Sequence, residues 1–381
     1  MERVHRTEAL VVGAGPAGAA LAFWLGEKGW DCILADKTRF PRRKPCAGCF
    51  SARSFPLLRS LGLEETVQGS GQLIRFVHVQ TPRRSLLFDT ARDPAGPLFY
   101  VFPRERFDHL LVERARAASV RVMEGVSVDR LLRGAGGVEG AAAGGVEIRA
   151  RVTVVATGAA FRFLPLEARR SMRSYQTLIG WFENLADPDP VTTDSFSAPW
   201  LHGSGWIFPE SGTRANVGIM VHEDRLRECK GNLRRLFEAY CQTPRARKRL
   251  QGARRVGRLQ GSPIRYTLRP RGIHGDGFLM VGEANLLNHP LTGEGISQAL
   301  RSARLAADVL QSAREAGSFD RDALASYSRG IEKRFRKNFL KAGFLRHWND
   351  GPFRMNTTLK ILQAQPGVKR WLEARFHRIV L

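Results

Sequence analysis

A chain of 381 residues with 43% hydrophobic content can bury a sizeable core, enough for two interleaved domains. No apolar run reaches the roughly 18 residues a membrane-spanning helix needs, and the apolar N-terminal stretch carries no signal cleavage site, so a cytoplasmic protein is expected. The net charge of +24, from 60 Lys+Arg against 36 Asp+Glu, implies attraction to something anionic, such as lipid, nucleic acid or a phosphorylated substrate.

The chain opens on a strand–turn–helix pattern. The apolar run Ala9 to Val12 predicts a buried strand, and a helix-like segment runs from Pro16 to about Lys28. Gly13, Gly15 and Gly18 stand between and within them at G-x-G-x-x-G spacing. The first glycine allows a tight turn, the second lets the backbone approach a pyrophosphate, and the third lets helix pack on strand. The free N–H groups of the helix start, around Ala17, favour phosphate. A second apolar strand, Cys32 to Ala35, ends on Asp36, 18 residues after Gly18, where a carboxylate can accept hydrogen bonds from a ribose. Dinucleotide binding is therefore expected, against the plainer alternative of a glycine-rich turn with no ligand.

A basic, proline-bounded loop follows, carrying Lys37, Arg39, Cys46, Ala47 and Gly48, and its place beside the nucleotide motif points to cofactor contact. A helix is predicted from Ser51 to Leu61. The five cysteines, Cys32, Cys46, Cys49, Cys229 and Cys241, fit no disulfide framework. Cys46 and Cys49 form one C-x-x-C, which leaves a dithiol redox pair open but lacks the second pair that zinc needs, so no metal is expected. Alternating runs in 72–102 predict strands, and a helix follows in which Arg104 or Arg106 can clamp a pyrophosphate. The glycines at 134–140 suit a hairpin turn, and 151–158 a buried strand. Strand-like runs recur over 175–265. A further strand leads to Gly282 and Glu283, then through Pro290 to a helix starting near Gly293 or Gly295.

Several of these segments resemble the geranylgeranyl reductase family of FAD-dependent oxidoreductases, which has the para-hydroxybenzoate hydroxylase-like fold. The loop Arg39-Phe-Pro-Arg-Arg-Lys-Pro-Cys-Ala-Gly48 is similar to that family's Pro-Arg-x-Lys-Pro-Cys-Gly-Gly, with Ala47 in place of the first glycine. Trp206, Phe208, Pro209 and Gly218 match its Tyr-x-Trp-x-Phe-Pro and Gly-x-Gly segments, while Ser204 replaces the tyrosine and Met220 the last glycine. The run from Gly282 to Ile296 is similar to Gly-Asp-Ala-x-Gly followed by Pro-x-x-Gly-x-Gly-Ile, with Glu283 in place of the aspartate. The resemblance implies that FAD is contacted by Arg104, by Val128 near the adenine, by Gly158 at the end of the second nucleotide strand, and by Glu283, Gly293, Gly295 and Ile296. It also implies that Cys46 and Trp206 lie over the reacting face of the flavin as catalytic residues. A nucleotide-first chain of this type favours FAD over NAD, with NADPH or another transient electron donor and no second nucleotide domain.

The expected fold is α/β: a Rossmann-type FAD-binding domain from 1–71, 99–165 and 266–312, interleaved with a β-sheet substrate domain from 72–98 and 166–265. The expected activity is reduction of a carbon–carbon double bond in a small apolar, lipid-like substrate by reduced flavin. The alternative is an FAD-dependent monooxygenase or halogenase acting on a secondary metabolite. Residues 331–381 hold twelve Lys/Arg against three Asp/Glu, interleaved with aromatic residues and with helix breaks at Gly351-Pro352 and Pro366-Gly367. That basic helical region, 313–381, points to peripheral contact with an anionic membrane surface. Nucleic acid is not expected, because no recognised binding motif accompanies the scattered charge.

Overall fold

The computed structural model describes residues 3–380 except 82, 95–98, 186–190, 199–200, 229–230 and 350–351. Cys229 and Gly351 therefore lie outside the described residues.

The first sheet is built on strand Arg3–Val12, which pairs in parallel with Cys32–Asp36 on one side and Val146–Val155 on the other. Arg121–Glu124 extends the first edge and Phe278–Met280 the second, again in parallel. The central strand is apolar on both faces. Ala9 and Val11 pack with Cys32 and Leu34 into one cluster, while Leu10 and Val12 pack with Ile33 and Ala35 into another. A parallel strand covered on both sides must be written as such a continuous apolar run. The register places Val12 opposite Ala35 and Val155, so three strands end at one level. Their carboxyl ends form the crevice where open parallel sheets take ligands.

The helix after the first strand spans Pro16–Gly26, two residues shorter than expected, and the central strand begins at Arg3 rather than Ala9. The segment expected as one helix from Ser51 to Leu61 splits. Cys49–Ser51 joins a small three-stranded sheet, Ala52–Ser54 forms a 3-10 turn, and the helix proper is Phe55–Ser60. Likewise Glu283 ends no strand. It sits in a 3-10 turn, Gly282–Asn285, after the short strand Phe278–Met280.

The second sheet is mostly antiparallel, in the order Arg254–Tyr266, Arg173–Glu183, Arg214–His222, Leu201–Ser211, Val191–Ala198, Phe76–Gln80, Ser85–Asp89. The architecture is thus a parallel Rossmann-type sheet joined to a separate β-sheet, followed by C-terminal helices. The long helix Arg321–Asn349 buries Leu324, Tyr327, Ile331, Phe335, Phe339 and Ala342 against the first domain, a helical repeat of three or four residues. The Tyr327 hydroxyl donates to the Met280 carbonyl at 2.7 Å, which pins this helix to the sheet. Helices Pro352–Ala364, Pro366–Glu373 and Phe376–Val380 then fold back onto the second sheet, with Leu362 and Phe376 in its core.

Candidate functional site

A cavity of about 740 Å³ runs from the carboxyl ends of the first sheet to the inner face of the second. Its two halves differ in chemistry.

The polar half begins at the glycine turn. Gly13 has φ +105°, and a Cβ there would lie 2.5 Å from the Ala156 carbonyl oxygen. A Cβ on Gly18 would lie 1.8 Å from the Gly13 carbonyl oxygen, so these two glycines serve packing. Gly15 instead borders the cavity, where a Cβ would meet nothing nearer than Arg42 at 3.8 Å. Gly15 also caps the helix without a side-chain hydrogen bond, leaving the helix N–H groups to a ligand. Asp36 accepts from the Ala14 N–H at 2.7 Å and from the Thr38 N–H at 2.8 Å, so the carboxylate is held in place at the crevice. An open glycine cradle, an uncapped helix start and a fixed carboxylate together fit a flavin adenine dinucleotide.

Basic side chains continue this half. Arg104 is buried and donates to both oxygens of Asp108, at 2.7 and 2.8 Å, and Arg42 reaches the same carboxylate at 3.0 Å. Burial is the largest influence and opposes the Arg104 charge, but Asp108 and Cys46 together raise the guanidinium pKa above its ordinary value. The expected clamp is therefore held by an aspartate of its own helix. Lys44 also borders the cavity, and burial, followed by the nearby Arg104 charge, pushes its ammonium below the ordinary lysine value. Glu283 acts on it in the opposite direction and accepts from the Arg265 N–H at 3.3 Å.

The apolar half is walled by Val77, Val79, Phe99, Ile179, Phe208, Met220 and Leu291, together with Met355 and Phe376 from the C-terminal helices. Trp206 and Cys46 stand at the boundary of the halves. The Trp206 indole N–H donates to Asn216 Oδ1 at 2.7 Å, and Asn216 Nδ2 donates to the Cys46 carbonyl at 3.3 Å. One buried amide thus positions both residues. The Cys46 sulfur accepts from the Gly48 N–H at 3.4 Å. Cys49 borders the same cavity, and burial, then Glu294 and Cys46, hold its thiol well above the ordinary cysteine value. Glu294 Oε1 accepts from the Ser51 N–H at 2.7 Å and from the Ser297 hydroxyl, while Oε2 has no hydrogen-bond partner among the described residues.

Of the residues singled out from the sequence, Gly13, Gly15, Ala17, Asp36, Lys37, Cys46, Ala47, Arg104, Val128, Gly158, Trp206, Glu283, Gly293, Gly295 and Ile296 line this cavity. Gly18, Arg39 and Gly48 do not line it. Arg39 is exposed, and Gly48 packs on Phe102, whose N–H donates to its carbonyl at 2.9 Å. Arg42, Lys44, Asp108, Asn216 and Glu294 went unmarked. Arg42 and Lys44 lay inside a motif already quoted, and Asn216 stood two residues before Gly218. Among the described residues no group of His, Cys, Asp and Glu is placed to hold a metal.

A nucleotide crevice on a parallel sheet, opening into an apolar chamber on a second sheet, defines a flavoprotein of the oxidoreductase class. The FAD binding domain profile matches residues 6–201, and the chain belongs to that family. Among curated relatives, the menaquinone reductase of Mycobacterium tuberculosis is 27% identical over 80% of this chain and 76% of its own length. The digeranylgeranylglycerophospholipid reductase 1 of Methanopyrus kandleri is 27% identical over 87% and 88%. A halogenase stands beside them: the tryptophan 2-halogenase of Chondromyces crocatus is 26% identical over 90% of this chain and 67% of its own length. Among solved structures, a geranylgeranyl bacteriochlorophyll reductase-like protein from Thermoplasma acidophilum superposes with a TM-score of 0.81, at 20% identity over 98% and 96% of the two chains. The protein is an FAD-dependent enzyme.

Proposed function

We propose that this enzyme reduces a carbon–carbon double bond of an apolar, isoprenoid-like substrate. The observation that carries the reading is the chamber itself, apolar on its far walls and joined to the nucleotide crevice at Cys46 and Trp206. FAD held along the polar half would, when reduced, supply a hydride at that boundary. The protein's part is orientation and exclusion of water. Gly13, Gly15, Asp36, Arg42, Lys44, Arg104 and Glu283 hold the cofactor. Asn216 fixes the Trp206 ring and the Cys46 backbone at the reacting boundary, and Cys49 keeps a proton on its sulfur beside them at neutral pH. The named reductases support the substrate class, as proteins acting on a menaquinone and on a digeranylgeranyl lipid. NADPH or another transient donor would supply the electrons, and a substrate of this class is drawn from a membrane rather than from water.

The test is anaerobic. The purified holoenzyme is reduced, then mixed with menaquinone or with a digeranylgeranyl glycerophospholipid. Flavin reoxidation with gain of two hydrogens by the lipid, read by mass spectrometry after air has returned any menaquinol to the quinone, is the expected result. No reoxidation by either lipid, together with hydroxylated or halogenated product from an aromatic substrate in air, overturns the reading in favour of a monooxygenase or halogenase.

A further inference from the structure

Seven of the ten large apolar side chains exposed among the described residues fall between Leu340 and Trp371. They are not scattered. Leu340, Phe344 and Trp348 recur every four residues and so share one face of the long helix, with Phe344 at 63% exposure. The next helix adds Phe353, 82% exposed, and Ile361, and the one after it Val368 and Trp371. Basic residues stand on the same turns: Lys337 and Lys341 on the long helix, Arg354 and Lys360 on the next, Lys369 and Arg370 on the third. Two arginines lie over the exposed indoles, Arg354 at 5.8 Å from the Trp348 ring and Arg375 at 4.7 Å from that of Trp371. The same helical region lends Arg346, Met355 and Phe376 to the wall of the substrate chamber.

We propose that this face docks on an anionic lipid bilayer, with the apolar side chains set into the headgroup boundary and the chamber directly behind them. The inference rests on the proposed function for its purpose, delivery of a lipid-like substrate from the bilayer, and on the exposed face for its evidence. Helices that carry aromatic and aliphatic residues outward, fringed by Lys and Arg, lie in the interface plane rather than across it. No helix among the described residues is long and apolar enough to cross a membrane. A second copy of the chain is the other occupant to weigh. In a symmetric dimer the same patch faces itself, which would set these basic side chains against one another. An anionic surface neutralises them instead.

The experiment is co-sedimentation of the holoenzyme with vesicles of phosphatidylcholine mixed with phosphatidylglycerol, and with vesicles of phosphatidylcholine alone. Binding to the mixed vesicles, weakened by salt and much reduced on phosphatidylcholine alone, is expected. The double variant Phe344→Glu/Phe353→Glu alters two exposed positions, so its flavin spectrum and melting temperature stay those of the parent while its vesicle affinity falls by about tenfold or more. Holoenzyme that remains in the supernatant, or a double variant that binds as well as the parent, overturns the proposal. So does a dimer by sedimentation velocity that the double variant breaks into monomers, since the face then pairs two copies. Vesicle binding is read without any substrate, so it can fail while lipid reduction succeeds, or succeed while reduction fails.

Discussion

Asp108 is the residue on which the polar half of the cavity turns, and its removal gives the sharpest test of that half. Its side chain has no exposed surface, Arg104 is 7% exposed and Arg42 14% exposed. Three charged groups are thus brought together out of water, with guanidinium–carboxylate contacts of 2.7, 2.8 and 3.0 Å. At an effective dielectric of about 20, a unit charge pair about 4 Å apart is worth roughly 4 kcal/mol, and this attraction offsets the desolvation of the groups. Asp108→Ala removes the attraction and leaves the desolvation, a loss expected at about 3–5 kcal/mol. Against a total stability of about 5–15 kcal/mol, that is a large fraction. The assay is the urea midpoint of the flavin-free protein, with replacement of Arg59, 74% exposed in its pair with Glu64, as a control that leaves the midpoint in place. The double variant Arg104→Met/Asp108→Leu replaces the more deeply buried ion pair by apolar groups and is expected to recover part of the loss, because no orphaned Arg104 charge remains and only Arg42, 14% exposed, loses its contact with Asp108. A loss below about 1 kcal/mol in Asp108→Ala, or strict additivity in the double variant, refutes the reasoning: the guanidinium would then be reaching water or another acceptor.

Gly18→Ala should yield protein without bound flavin, since its Cβ would fall 1.8 Å from the Gly13 carbonyl oxygen and the helix would have to leave the strand; visible flavin absorbance per chain measures it. Phe376→Ala removes a ring that lies 5.6 Å from Phe88 and borders the chamber, and is expected to cost about 3–5 kcal/mol and to hasten proteolysis of the C-terminal helices. His289 gives a pH dependence. Burial first, then the charges of Lys341, Arg53 and Arg301, lower its pKa from 6.5 to about 3, while its Nδ1 accepts from the Thr292 N–H at 3.3 Å. The folded chain therefore binds fewer protons than the unfolded one between these values. Its contribution is whole above pH 6.5 and is lost as the pH falls toward 3, at up to about 1.4 kcal/mol per pH unit, and His289→Asn should flatten that slope in urea titrations at successive pH values.

What the sequence made legible was local. Strand, turn, helix and acid from Ala9 to Asp36 lie within one short stretch, and each residue type there is forced by its immediate neighbours. Gly13 and Gly18 are required by backbone atoms a few residues away or on the adjoining strand, so their spacing alone announces the turn. The pairing of Arg104 with Asp108 was hidden for the opposite reason. An arginine and an aspartate four apart look like an ordinary pair on an exposed helix face, and only the packing of that helix shows both to be buried. Asn216 was hidden because its two partners, Trp206 and Cys46, are 10 and 170 residues away. Glu283 was placed at the end of a strand because the apolar run leads straight to it. The chain instead turns at Gly282, with φ +64°, and closes a 3-10 turn.

The same contrast explains why the sequence speaks clearly of a cofactor and only by resemblance of a substrate. The polar half of the cavity draws on short motifs, each nearly complete in itself. The apolar half draws on Val77 and Phe99, on Ile179, on Trp206 to Met220, and on Met355 and Phe376, segments far apart in the chain that meet only once the sheets have formed and the C-terminal helices have returned to them. Outside the Trp206-to-Met220 segment, any apolar residue of suitable volume serves at most of these positions, so few of them leave a mark in the local pattern. Arg346, Met355 and Phe376, from the region 313–381 expected from sequence only as basic helices, line this chamber, and substitutions at Met355 or Phe376 should change which substrates are accepted before they change how tightly flavin is held.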